Sequence, residues 1–149
     1  NPNLYNCGKV CLSLLGTWYS GKDEGWIPNL STIKQVGISI QSLILVENPF
    51  FNEPSYEKSM NTPKGDRNND KYNMDIKLYN MRHTIYETFK NPPEPFKDII
   101  LKHFELKKDY ILKKCKEWVD YSKDYDNKSK TKYYEKYKSI YDSILKMYN

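Results

Sequence analysis

A chain of 149 residues is of single-domain size, and its net charge of +5 is carried almost wholly by lysine, with Arg67 and Arg82 the only arginines. Nucleic-acid readers favour arginine for forked contacts with bases and phosphates, so the composition argues against that partner and for a solvated lysine-rich surface. No apolar run approaches the roughly 18 residues of a membrane span, and Cys7, Cys11 and Cys115, odd in number and without framework spacing, point to free thiols in a reducing compartment.

Asn1 to Asn29 is rich in Gly, Pro and aromatics without helical period, and reads as loop with one short extended piece from Lys9 to Leu15. Ser31 is placed as an N-cap. Ile33, Val36, Ile40, Leu43 and Ile44 then recur at helical spacing up to Asn48-Pro49; their β-branching makes a buried strand the competing reading, and the length of about four turns favours the helix. Asn52-Glu53-Pro54 is a turn, and Ser59 to Asn69, with Pro63 and Gly65, reads as an exposed loop. A second helix is predicted from near Asp70, with Met74, Leu78, Met81, Ile85 and Phe89 on one face and Asn91-Pro92-Pro93 as its stop. Pro95 suits the first turn of a third helix, whose inner side is predicted to hold Phe96, Ile99, Ile100, His103, Lys107, Tyr110, Ile111, Cys115 and Trp118. Charged residues from Asp120 to Lys130 break that pattern. A last helix follows with Tyr133, Tyr137, Ile140, Ile144 and Tyr148 on one face.

The most specific stretch is the first, Asn1-Pro2-Asn3-Leu4-Tyr5-Asn6-Cys7-Gly8-Lys9-Val10-Cys11-Leu12. An asparagine in a turn lies eight residues before a cysteine set in Gly-x-x-Cys-Leu, and Trp26-x-Pro28 follows before an amphipathic helix. In this order and spacing the pieces resemble the His-Pro-Asn motif, active-site cysteine and Trp-x-Pro segment of the ubiquitin-conjugating (E2) enzymes. Asn1 in place of the usual His, together with QVGISIQSLILVENPFFNEPSYE and PFKDIILKHFELKKDYILKKCKEW, is similar to the subgroup of very large E2s of the BRUCE/Apollon type. The resemblance runs from Asn1 to about Val119. It implies an α+β, UBC-like fold of which this chain holds the C-terminal part: the catalytic loop and then mainly helices, with the N-terminal helix and four-stranded sheet missing. Residues 1–121 would be a partial UBC domain and 122–149 a helical extension.

What the resemblance implies for chemistry follows from those positions. Cys11 would carry ubiquitin as a thioester, since a thiolate is both a good nucleophile and a good leaving group. The Asn3 amide would stabilise the oxyanion as a substrate lysine attacks. Many E2s have a carboxylate two residues after the cysteine; here Ser13 stands there and cannot act as an anionic acceptor, which leaves Glu53 to orient or deprotonate the lysine. Trp18, Trp26 and Pro28 match loops that face E3 partners or fill the core, and the segment Thr17 to Gly25 is longer than in small E2s. The implied partners are ubiquitin, an E1 enzyme, and E3 ligases or direct substrates, with no nucleic acid and no membrane; no cofactor or metal is implied, because ATP is used by E1. The cytoplasm is the expected place, or also the nucleus, or a host cytoplasm. Two readings compete: a non-catalytic module that binds ubiquitin or a partner, and conjugation of a ubiquitin-like modifier. The enzymatic reading expects the Cys11 sulfur to lie open, with the Asn3 amide beside it.

Overall fold

The computed structural model describes residues 1–18 and 24–148, so most of the long segment from Thr17 to Gly25 lies outside the described residues. The chain divides into two compact units, Asn1–Asn73 and Met74–Asn149.

The first unit opens with a tight loop rather than an extended piece. Leu4 and Val10 form an isolated antiparallel bridge, closed by Tyr5 N–H on the Lys9 carbonyl (3.0 Å) and turned at Gly8, whose φ of 86° favours glycine. A 3₁₀ turn, Ser13–Leu15, follows. Helix α1 (Ile33–Ser39) begins one residue later than the sequence suggests: Thr32 is the N-cap, in a capping box with Gln35. Ser31 instead accepts a hydrogen bond from Ile27 N–H (2.9 Å), clamping the preceding turn. The helix then widens into a π turn, Ile40–Ile44, closed by Leu45 N–H on the Ile40 carbonyl. Ile44 is buried, while Ile33, Ile38, Leu43 and Leu45 stay exposed. Phe50 gathers Phe51, Tyr56 and Tyr72 around it at centroid distances of 4.7–5.8 Å.

Helix α2 (Pro63–Tyr79) starts well before Asp70, inside the stretch expected to be loop. Pro63 takes the first helical position, and the Thr62 hydroxyl accepts from Gly65 N–H (3.1 Å), capping it. Gly65 is required by packing: a Cβ there would lie 2.0 Å from the Ser59 carbonyl oxygen. The same helix continues through a π-helical stretch, Asn80–Glu87, to Thr88–Lys90.

In the second unit, α3 (Lys97–Ser129) and α4 (Tyr133–Met147) form an αα-hairpin. Its core holds Met74, Met81, Phe104, Ile111, Cys115, Val119, Tyr137 and Ile144. The buried face of α3 is Phe104, Ile111, Cys115, Val119 and Ser122, so the expected inner side is corrected: Phe96, Ile99, His103 and Tyr110 are exposed. The charged run does not break α3 either. Ser122 keeps the buried register by donating its hydroxyl to the Val119 carbonyl (2.6 Å), so the charges lie on the outer faces. Asp126 then receives the N–H groups of Tyr133 (2.9 Å) and Tyr134 (2.6 Å) and the Thr131 hydroxyl, capping α4 from the end of α3. Of the expected α+β class the helical part is present; among the described residues no strand forms beyond the single bridge.

Candidate active site

An Asn-Pro-Asn turn is a rigid way to aim an amide, because proline fixes one dihedral and asparagine bonds its own neighbourhood. The Asn1 side-chain oxygen accepts Asn3 N–H (3.0 Å), and its Nδ2 donates to the Ile44 carbonyl (3.0 Å) at the end of the π turn. The turn is thereby tied to a helix carbonyl that has no intrahelical partner.

Asn3 in turn holds both peptide groups of Cys11. Its backbone carbonyl accepts Cys11 N–H (2.8 Å), and its Nδ2 donates to the Cys11 carbonyl (3.1 Å). Asn3 Oδ1 accepts from Asn52 Nδ2 (3.2 Å), and Asn52 Nδ2 also donates to the Leu43 carbonyl (3.0 Å). Thr17 fixes the chain on the other side of the cysteine: its hydroxyl accepts Leu12 N–H (3.0 Å) and donates to the Val10 carbonyl. The sequence-predicted pair Asn3 and Cys11 therefore meets, with the amide donor beside the cysteine.

Access to the sulfur differs from the expectation. Cys11 is only 4% exposed, and Leu12 next to it equally so, because both flanks of the loop are bonded down over it. Cys7 is exposed. Glu53 is half-buried directly after Asn52. Together with burial, which is the larger cause, its charge raises the Tyr72 phenol above the usual tyrosine range. Among the described residues no hydrogen bond joins its carboxylate to Cys11 or Asn3. Ser13 is half-buried at the start of the 3₁₀ turn, Trp18 is half-buried, and Trp26 and Pro28 are exposed. Thr17 and Asn52 were not legible as site residues, since their roles are bonds between side chains and distant or backbone groups. A turn asparagine is the one signal Asn52 gives, and it is common to most loops.

No family model matches the chain. Curated relatives do. The probable ubiquitin-conjugating enzyme E2 R521 of Acanthamoeba polyphaga mimivirus is 43% identical over 97% of this chain. The human dual E2 ubiquitin-conjugating enzyme/E3 ubiquitin-protein ligase BIRC6 is 47% identical over 80% of it, and the probable ubiquitin-conjugating enzyme protein 17 of Caenorhabditis elegans 48% over 80%. The chain belongs to the ubiquitin-conjugating enzyme family. It is a UBC-domain sequence of the BIRC6 type, and the family is one of transferases. This E2 chain spans 10%, 2% and 16% of the lengths of those three relatives. The viral match covers 145 residues and so takes in α4, whereas the BIRC6 match covers 119.

Proposed function

We propose that the protein carrying this E2 chain bears ubiquitin as a thioester on Cys11 and passes it to substrate lysines. The observation that carries the reading is the Asn3 carboxamide, held by bonds at both its atoms with its nitrogen 3.1 Å from the Cys11 carbonyl. Ubiquitin would arrive from the E1 cysteine by thioester exchange, the E1 thiolate leaving as the Cys11 sulfur–carbon bond forms. A lysine amine then attacks the acyl carbon. The nitrogen–carbon bond forms, the carbon–sulfur bond breaks, and the proton lost by the amine goes first to an acceptor and finally to the thiolate. Asn3 stabilises the oxyanion between those steps and Glu53 is the acceptor or orienting group, Ser13 having no charge to offer. Trp18, Trp26 and Pro28 present the partner-facing loops. No bound cofactor takes part, ATP being consumed at E1, and the compartment proposed is the cytoplasm, or also the nucleus, or a host cytoplasm.

Burial of Cys11 makes loop opening a step in the proposal, and it is also the observation that favours the second reading, a module that binds ubiquitin or a partner without transfer. One experiment separates them. The full-length protein is incubated with E1, ATP and ubiquitin and run on a non-reducing gel. A thiol-sensitive adduct that disappears in Cys11→Ala is the expected result. No adduct in the wild type leaves the binding module, and an adduct that persists in Cys11→Ala removes Cys11 from the reaction. Substituting ubiquitin-like modifiers in the same assay identifies the cargo.

A further inference from the structure

A carboxamide is nearly symmetric in shape but opposite in polarity at its two ends. Rotated by half a turn, Asn3 would present an oxygen to the developing oxyanion instead of an N–H, and a stabilising group would become a repelling one. Something must therefore fix which end faces Cys11.

The fixing runs through Asn52. Asn3 Nδ2 donates to the Cys11 carbonyl (3.1 Å) and Asn3 Oδ1 accepts from Asn52 Nδ2 (3.2 Å), so a flip would set oxygen against oxygen at one end and nitrogen against nitrogen at the other. Asn52 could itself flip and undo this, but its Nδ2 also donates to the Leu43 carbonyl (3.0 Å). Both ends of the series are main-chain carbonyls, which accept and never donate. The polarity of both amides is thus set by backbone that cannot invert, and the second hydrogen on Asn3 Nδ2 remains for the substrate oxygen. The Leu43 carbonyl is available because it sits in the last turn of the π-helical Ile40–Ile44, where the carbonyls have no partner within the helix.

We propose that Asn52 is a positioning residue for the transfer step: it holds the Asn3 amide with its N–H toward the acyl group on Cys11. This rests on the reading of Cys11 and Asn3 given above and adds to it a residue that touches no reacting atom. The acyl oxygen turns negative in aminolysis as it does in the exchange that charges Cys11, and the test is arranged to isolate aminolysis, in which the acyl group already sits on Cys11 and no E1 takes part.

The full-length protein is charged by E1 and then chased with free lysine in single-turnover assays. In Asn52→Leu, of similar size but without donors, charging is expected near the wild-type rate. The limiting discharge rate falls about tenfold, a fraction of what losing an oxyanion donor costs, with the lysine concentration for half-maximal rate unchanged. Asn3→Ala lowers discharge further, and adding Asn52→Leu to it brings no additional loss, because the two act as one unit. Asn52→Ala guards against a steric artefact of leucine and gives the same pattern. Equal losses in charging and discharge in both Asn52 variants that persist in the Asn3→Ala background mean that the residue merely holds the loop, and overturn the proposal. Wild-type discharge, or an undiminished effect in the Asn3→Ala background, overturns it as well. Failure of the wild type to form a Cys11 thioester sinks the underlying reading itself, an outcome visible before any Asn52 variant is made.

Discussion

Cys7, Cys11 and Cys115 occupy three different environments, and chemistry can rank them. Cys7 is exposed, Cys11 is buried within a bonded loop, and Cys115 is fully buried with its thiol pushed up to about 12 by desolvation. Since the thiolate is the reactive form, alkylation by iodoacetamide at pH 8 is expected to label Cys7 first, Cys11 after loop opening, and Cys115 only on unfolding. Peptide mass spectrometry at timed quenches reads the order; early labelling of Cys115 contradicts it. The acid–base assignment has its own test. Glu53→Gln is expected to slow discharge to lysine by about 100-fold, the lower end of what a positioned base contributes. Ser13→Asp, restoring a carboxylate two residues after Cys11, is expected to recover part of that loss in single-turnover discharge. Recovery without the Glu53 defect, or neither effect, contradicts the assignment. At this scale the meeting of Asn3 with Cys11 was legible from a spacing along the chain, whereas Glu53 was named only through the resemblance, and no hydrogen bond among the described residues joins it to either. Asn52 and Thr17 were not legible, because Asn52 meets Asn3 across 49 positions and Thr17 binds main-chain groups that any residue could supply.

Helix ends were less legible than helix faces, for a physical reason. The α4 face of Tyr137, Ile140 and Ile144 reads directly from its period, whereas α2 begins at a proline inside a polar stretch, where the capping Thr62 looks like any loop threonine. The long α3 was read as broken after Val119 because Ser122 fills a core position with a hydroxyl bonded to its own helix. Its last turns have a purpose beyond packing, since Asp126 caps the next helix. Burial works to raise the Asp126 pKa, but the Thr131 hydroxyl and the N–H groups of Tyr134 and Tyr133 outweigh it and leave the carboxyl below its usual range. A depressed folded pKa means stability that is present above the unfolded value and lost as pH falls through the folded one. Asp126→Ala is therefore expected to lower stability by about 1 kcal/mol at neutral pH, as loss of a capping side chain does. The difference from wild type begins to shrink below about pH 4, the unfolded value, and is gone once pH has fallen through the lower folded value, where the cap is protonated in both states. Urea unfolding followed by circular dichroism at several pH values reads it; a gap that persists into acid would show that the carboxylate charge is not what matters.

In the first unit Leu30, Ile33, Ile38, Leu43 and Leu45 are all more than half exposed, Ile33 reaching 78%. In the second, Phe96 just before α3 and Ile99, Leu106 and Tyr110 on it are likewise exposed. Fully burying one such side chain is worth about 1.5–3 kcal/mol. The five in the first unit alone thus forgo an amount comparable with the ~5–15 kcal/mol that hold a whole domain together. The helical period marked Ile33, Leu43, Phe96, Ile99 and Tyr110 as residues to be covered and passed over Leu30, Ile38, Leu45 and Leu106, because amphipathicity states only that a face is to be covered, not by what. Relatives of which this chain spans 2–16% have ample further sequence. The 149-residue chain expressed by itself is therefore expected to bind 1-anilinonaphthalene-8-sulfonate and to lose its helical signal over a broad thermal range. Glutamate in place of Ile33 or Leu43, both already in water, should reduce dye binding without lowering the midpoint, because no buried contact is lost. A sharp calorimetric transition with equal calorimetric and van't Hoff enthalpies and no dye binding would mean that these faces are covered within the chain itself.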